Sequence, residues 1–285
     1  MPPVSKKLIV ITQTDDISLC RDWVFEDSDI DFFIRLYSDD CNEINELASF
    51  ENVNVVHMKG EKWPSIKKLL TSKKINKKYD YYFFPDNDLL MTPDTIKSIY
   101  HFLCKNVIEL AQPSLRHDSF FSHLITLQIN GLSYRNTNFV ELMCPIFSKR
   151  YLFDIMKYFD EVNMGGALDI FWSSYLIQNY NTYPKIIDEC VVMHTKPVGI
   201  DYKNSKYRED VDFQKELRDF SEKYNVDTNY FPKNISAFKK SDLLDFQIYF
   251  KFLLSLIFKN KYSLMVIFKA LKYLNRNSRM QIKKL

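Results

Sequence analysis

The sequence predicts an α/β fold: a mixed, mostly parallel sheet flanked by helices. Three observations carry that expectation. Over the first ninety residues, short β-rich runs alternate with polar helical segments, as in parallel strands joined by crossover helices. The fourth run is apolar or aromatic almost throughout, as a strand covered on both faces requires. The chain has 285 residues, 46% of them hydrophobic, with 23 Phe, 18 Tyr and only 5 Gly. That composition buries a sizeable core and argues against disorder, and no internal repeat is visible.

Lys7 to Thr12 (KLIVIT) reads as the first strand, and a helix-like segment runs on to Trp23. Asp31 to Tyr37 is the second strand and Asn54 to Met58 the third. Lys62 to Leu70 reads as a helix with Pro64 near its start, where proline is tolerated. Tyr79 to Phe84 is the fourth strand. Pro93 to Leu110 places Ile96, Ile99, Tyr100 and Leu103 at helical spacing. Ala111-Gln112-Pro113 leads away from it, and Asn138 to Phe147 is strand-rich. Tyr151 to Phe159 is a short amphipathic helix. Gly165 to Asp169 is a tight turn before a helix over Ile170 to Asn179. Lys185 to His194 is a final strand, and Asp201 to Lys223 is a charged loop and helix.

The net charge of +3 hides an asymmetry. Phe246 to Leu285 holds nine Lys or Arg and no acid, leaving 30 basic and 36 acidic residues elsewhere. The expected organisation is a domain over 1–235 and a basic amphipathic helical tail over 236–285. Cys20, Cys41, Cys104, Cys144 and Cys190 are scattered singly, so neither a disulfide framework nor a zinc site is expected. Leu8 to Thr12 is too short for the apolar core of a secretory signal, and a cytoplasmic chain is expected. The Lys, Asn, Ile and Tyr bias fits an AT-rich bacterial genome.

Ligands in open α/β sheets bind outside the carboxyl ends of the strands. Three such ends carry acids: Asp15 and Asp16, Asp39 and Asp40, and Asp86 with Asp88. The Asp86-Asn87-Asp88 triplet offers two hard oxygen donors at the sheet rim, suited to Mg2+ or Mn2+ holding a nucleotide diphosphate. Asp and Asn are equally favoured in plain turns. Asp169 follows two glycines near a helix start, where it reads either as a helix cap or as a general base for an acceptor hydroxyl. His194 ends an apolar strand with Lys196 two residues on. It reads as a structural histidine or as a third metal ligand, with Lys196 neutralising a diphosphate. His117, Asp118 and His123 read as polar loop residues. Glu141 interrupts an apolar run and needs a partner or a pocket. No P-loop, G-x-G-x-x-G or G-x-S-x-G occurs.

Six blocks occur in one order: YDYYFFPDNDLLM, ELAQPSL, RHDSFFSH, NFVELMCPIFS, GGALDIFW and VVMHTKPVG. In them the chain resembles the Rossmann-like GT-A glycosyltransferases and, more closely, the uncharacterised family labelled DUF707, over about Lys62 to Gly199. The resemblance implies metal and diphosphate contacts at Asp86 and Asp88, and nucleoside contacts around Thr12, Thr14, Asp39 and Lys67. It implies Asp169 as the catalytic acid residue of an inverting enzyme and His194 as the residue completing the metal site. Gly165-Gly166-Ala167 departs from the family, where a Trp between glycines is common, and so does Pro85 directly before the triplet. The implied cofactors are Mn2+ or Mg2+ and a nucleotide-sugar donor, a UDP-sugar before others.

The implied acceptor is a glycan or lipid-linked molecule of bacterial surface polysaccharide or glycolipid assembly. A non-catalytic nucleotide- or sugar-binding subunit of a polysaccharide synthase complex is the alternative. A sugar-nucleotide pyrophosphorylase would need a Gly-rich N-terminal loop that is missing here. Phe246 to Phe258 and Tyr262 to Leu274 are aromatic, basic and too interrupted to span a bilayer. They read as an in-plane anchor on an anionic leaflet, putting the chain on the cytoplasmic face of the inner membrane, or as helices packed on a protein surface. Their aliphatic content argues against nucleic acid.

Overall fold

The structure is a computed structural model. It describes residues 7–15, 18–37, 47, 49–72, 75, 78–197, 212–227, 229–239, 247–248, 250–252, 254–255 and 281–284. Asp16, Asp39, Asp40 and most of the basic tail lie outside the described residues.

The first four long strands are parallel neighbours. β1 (Leu8–Thr14) sits between β2 (Ile30–Leu36) and β4 (Tyr81–Phe83), and β3 (Val53–His57) closes the edge beyond β2. Successive side chains of β1 go to opposite faces. Leu8 and Val10 join one apolar core with Ile96, Ile99 and Phe102, while Ile9 and Ile11 join another with Trp63, Ile66 and Trp172. Covering both faces makes KLIVIT and YDYYFF read as unbroken apolar runs.

Beyond β4 the sheet is mixed. β8 (Ile146–Ser148) runs antiparallel between β4 and β6 (Leu110–Leu115). β9 (Lys185–His194) is parallel to β6, and β7 (Leu132–Thr137) is antiparallel to β9. β10 (Asn234–Lys239) and β11 (Gln281–Lys284) complete that edge. The two-residue β5 (Leu89–Leu90) pairs with the end of β9, Leu89 opposite His194. Among the described residues only β5, β7 and β8 oppose the common strand direction. Mostly parallel and flanked by helices, the sheet has the expected class.

The helices are α1 (Ser18–Arg21), α2 (Lys62–Thr71), α3 (Pro93–Lys105), α4 (Lys149–Ile155), α5 (Leu168–Tyr180) and α6 (Phe213–Tyr224). α3 starts at a reciprocal cap between Thr92 and Thr95 with Pro93 in the first position. It stops at Asn106, whose amide and side chain both donate to the Phe102 carbonyl, and so ends before the expected Leu110. The next segment, LAQPSL, is strand β6 rather than a connection. Pro113 is tolerated there beside a register irregularity against β9.

Asn138 to Phe147 was expected as a strand, yet only its last two residues enter β8. Residues 138–145 form a buried connection whose backbone is paired piecemeal. The Val140 amide donates to Ser173 Oγ (3.1 Å) and the Glu141 amide to Gln112 Oε1 (2.6 Å). Met143 and Pro145 carbonyls accept the amides of Asp86 (2.8 Å) and Phe84 (2.9 Å). β10 crosses the expected boundary between residues 235 and 236. Gln281–Lys284, expected in a helical tail, is a strand beside β10.

Candidate functional site

The carboxyl ends of β1 and β4, the 138–145 connection and the end of β9 meet around the Asp86-Asn87-Asp88 loop, and α5 is fastened to that connection. β1 backs the loop. Thr12 Oγ1 donates to the Pro85 carbonyl (3.0 Å), and Thr14 Oγ1 accepts from Asn87 Nδ2 (3.0 Å). Both threonines are buried, and these hydroxyls hold the triplet loop in place.

Asp86 faces the first residue of α2. Lys62 Nζ stands 2.5 Å from Asp86 Oδ1 and also donates to the carbonyls of Leu142 (3.1 Å) and Phe84 (3.3 Å). A lysine at the positive end of a helix is unfavourable by itself, and the carboxylate offsets it. The Asp86 side chain is 36% exposed. Crowding on its other sides pushes its carboxyl above the usual range, with Lys62 opposing and Asp88 reinforcing the shift.

Asp88 points the other way, to His194. Asp88 Oδ2 is 3.1 Å from His194 Nε2, and His194 Nδ1 is 3.0 Å from the Phe120 carbonyl. The carbonyl can only accept, so it fixes the Nδ1 proton and turns Nε2 to Asp88. The backbone braces the pair: Thr195 donates its amide (3.0 Å) and hydroxyl (2.7 Å) to the Asp88 carbonyl. Burial lowers the His194 pKa, but Asp88, the Phe120 carbonyl and Asp86 outweigh it, and the net shift is upward. Asp88 Oδ1 is buried without a hydrogen-bond partner.

That orphaned oxygen, beside an imidazole oriented through its far nitrogen, fits one edge of a divalent-cation site. Asp86 fits less directly, because Lys62 holds one of its oxygens. No group of three His, Cys, Asp or Glu suited to a metal gathers among the described residues.

Asp169 lies in the first turn of α5 but is not its cap. That position belongs to Ala167, in the left-handed region at φ 62°, with no side-chain cap. Asp169 Oδ1 instead accepts the Ile170 amide at 2.8 Å. Burial pushes its carboxyl up to about 7, against the pull of the Ile170 amide and its own. The preceding turn is clamped from α6. The Glu216 carboxylate accepts the amides of Asn163 (2.6 Å), Met164 (3.1 Å) and Gly166 (2.8 Å). A Cβ on Gly166 would stand 3.0 Å from the Leu217 backbone nitrogen, so the close approach needs glycine.

Glu141 completes the group. It is 7% exposed, its Oε2 has no partner, and its carboxyl is pushed up to about 7 by burial and then by Asp169. Ser122, His194 and Asp86 also act on it.

The structure therefore joins Thr12, Thr14, Asp86, Asp88 and His194 around the triplet loop, and Asp169 is tied to them through Glu141, on which Asp169, His194 and Asp86 all act. Lys67 is not with them: its ammonium binds Asp160 (2.5 Å) and the Lys157 carbonyl (2.8 Å). Lys196 is exposed two residues beyond His194, and Asp39 lies outside the described residues. Asp118 is paired with Arg116, whereas His117 is buried against Phe252 and His123 packs on Phe139, so the two histidines are packed on the core rather than plain polar loop residues. Lys62 and Glu216 were missed. The visible signal for Lys62 was a cation at a helix start; Glu216 had none, since its partners are backbone amides fifty residues away.

No family model matches the chain, the DUF707 family included, and no curated protein matches it. Among solved structures it is similar to residues 1–349 of TarS from S. aureus in complex with UDP-GlcNAc. There the identity is 12% and the TM-score 0.48, over 75% of this chain and 71% of that one. It is also similar to 4-diphosphocytidyl-2C-methyl-D-erythritol synthase from Anaerococcus prevotii, at 10% identity and TM-score 0.44, over 76% and 97%. Likenesses this distant carry no argument about what the chain does.

Proposed function

We propose that this chain is a metal-dependent glycosyltransferase that moves a sugar from a nucleotide-sugar donor to a hydroxyl acceptor with inversion. The observation that carries the reading is the Asp88–His194 pair, braced on both sides and left with an unpartnered carboxylate oxygen; the Asp169 carboxyl is linked to it through Glu141.

Asp88 and His194 would hold a Mn2+ or Mg2+ ion, with the second oxygen of Asp86 available to it. When bound, the ion supplies Lewis-acid stabilisation of the leaving nucleoside diphosphate. Lys62 neutralises part of the carboxylate charge, which lowers the repulsion a diphosphate meets on entry. Thr12 and Thr14 hold the triplet loop against β1 beneath the nucleotide, and Lys196 lies within two residues of His194 to meet the phosphates.

Asp169 takes the proton from the acceptor hydroxyl as that oxygen attacks the anomeric carbon. A carboxyl near 7 suits that task at neutral pH. A UDP-sugar donor, a glycan or lipid-linked acceptor of bacterial surface assembly, and docking of the basic tail on an anionic cytoplasmic leaflet complete the proposal. The tail's charge pattern supports the last point for its residues between Phe252 and Gln281, since Ile248 and Phe252 are buried in the domain core and Gln281–Lys284 pairs with β10.

A thermal-shift panel of UDP-, GDP- and CMP-sugars with Mn2+ tests the reading. At a hundredfold excess over Kd, one of them should raise the melting temperature by about 5 °C, and Asp88→Ala should abolish the rise. No shift with any member of the panel would overturn the proposal.

A further inference from the structure

We infer that Glu141 and Tyr230 flank Asp169 as a subsite for hydroxyl groups of a pyranose-type acceptor. The inference rests on the reading of Asp169 as the base. It adds two residues and a chemical class to the acceptor side.

Two buried polar atoms in this region have no hydrogen-bond partner: Glu141 Oε2 and the Tyr230 hydroxyl. Native proteins seldom leave such atoms unpaired, because each costs its desolvation with nothing in return. Both groups are coupled to the same third residue. The Asp169 charge raises the Glu141 carboxyl, and burial followed by Asp169 raises the Tyr230 hydroxyl.

The backbone explains the convergence. Asn138, three residues before Glu141, exchanges hydrogen bonds with the segment between Tyr230 and β10. Its Nδ2 donates to the Phe231 carbonyl (3.1 Å), and its Oδ1 accepts the Lys233 amide (2.7 Å). Val140 is fastened to α5 through Ser173 (3.1 Å) and the Trp172 indole (2.9 Å). Glu141 and Tyr230 are thus fixed relative to the helix that carries Asp169.

The polarity of the two groups selects the ligand. Glu141, with its carboxyl near 7, accepts when ionised and donates when neutral, and Tyr230, held protonated, can donate. A hydroxyl does both, so neighbouring hydroxyls on one ring satisfy both orphans. A phosphate would face the charges of Asp169, Glu141 and Asp86 together.

Saturation-transfer NMR on the full chain with UDP and Mn2+ tests this, using methyl β-D-glucopyranoside and methyl β-D-galactopyranoside as probes. Saturation of at least one pyranoside is expected. It should fall about fivefold in Glu141→Gln and in Tyr230→Phe, the worth of one hydrogen bond, while the nucleotide signal is retained. Equal pyranoside saturation in both variants, none in the wild type, or parallel loss of nucleotide would each overturn the inference. Failure of the functional reading looks different: no signal from UDP, GDP or CMP in the wild type, whatever the pyranosides show.

Discussion

His194 Nε2 lies 3.1 Å from Asp88 Oδ2, although the two residues are 106 positions apart in the chain. The two-residue strand β5 makes this contact, since Leu89 pairs with His194 and so carries Asp88 to the end of β9. The oriented imidazole, the orphaned Asp88 oxygen and the Asp169 carboxyl form the centre from which the following outcomes are expected.

Glu141 carries a stability cost that depends on pH. Its folded pKa, about 7, lies above the ordinary 4.5. The folded state therefore binds the proton more tightly. Stability is fully kept below about 4.5 and declines as pH rises towards 7. One pKa unit is about 1.4 kcal/mol, so the loss is on the order of 3 kcal/mol for this almost fully buried group. Glu141→Gln should stabilise the chain at pH 8 and leave it nearly unchanged at pH 4 in urea unfolding. Equal stabilisation at both pH values would contradict the assignment.

Lys62 and Asp86 should couple in a double-mutant cycle. Lys62→Met strips Asp86 of its counter-charge, and a cost of about 1–3 kcal/mol is expected, moderated by the exposure of Asp86. The double variant with Asp86→Asn should recover part of that loss. Additive effects would mean that the ion pair contributes little.

Glu216 should matter through the turn it clamps. Glu216→Ala removes three charge-assisted hydrogen bonds to Asn163, Met164 and Gly166 and should cost about 2–3 kcal/mol. Gly166→Ala should be destabilising as well, because its Cβ meets backbone rather than a movable side chain. In both variants, nucleotide binding should survive better than transfer. If nucleotide binding falls first, the turn serves the donor instead.

The basic tail has a separate test. Because Ile248, Phe252 and β11 pack on the domain, the variant keeps them. Replacing Lys269, Lys272, Arg276 and Arg279 by Gln should abolish flotation with vesicles containing anionic lipid, and added salt should weaken flotation of the unaltered chain. Unchanged flotation would remove the membrane from the account.

Much of this was legible in the sequence because local rules and the fold agree there. KLIVIT and YDYYFF are covered on both faces, so their mostly apolar runs announce strands. Asp86, Asp88 and His194 stood out as polar residues at strand ends. The segments that misled are those where tertiary contacts override pattern. NFVELMCPIF is apolar because a buried connection threads both cores, with side chains and loops in place of a ladder. LAQPSL hides a strand behind a proline. Lys67 lies on the same helix as Lys62, yet only Lys62, at its first turn, reaches Asp86, and a helical pattern does not say which lysine does. Ala167 takes the cap position in a left-handed conformation that nothing in GGALD announces, which leaves Asp169 free of that duty.

The most direct test of the central claim compares Asp88→Ala and Asp169→Asn, with nucleotide-sugar binding and nucleoside diphosphate release measured on the same samples with Mn2+. Asp88→Ala should lose binding. Asp169→Asn should keep binding within about threefold while release falls about a hundredfold or more, and the wild-type rate should rise with pH through about 7. Binding retained in Asp88→Ala, or release unaffected in Asp169→Asn, would contradict the account.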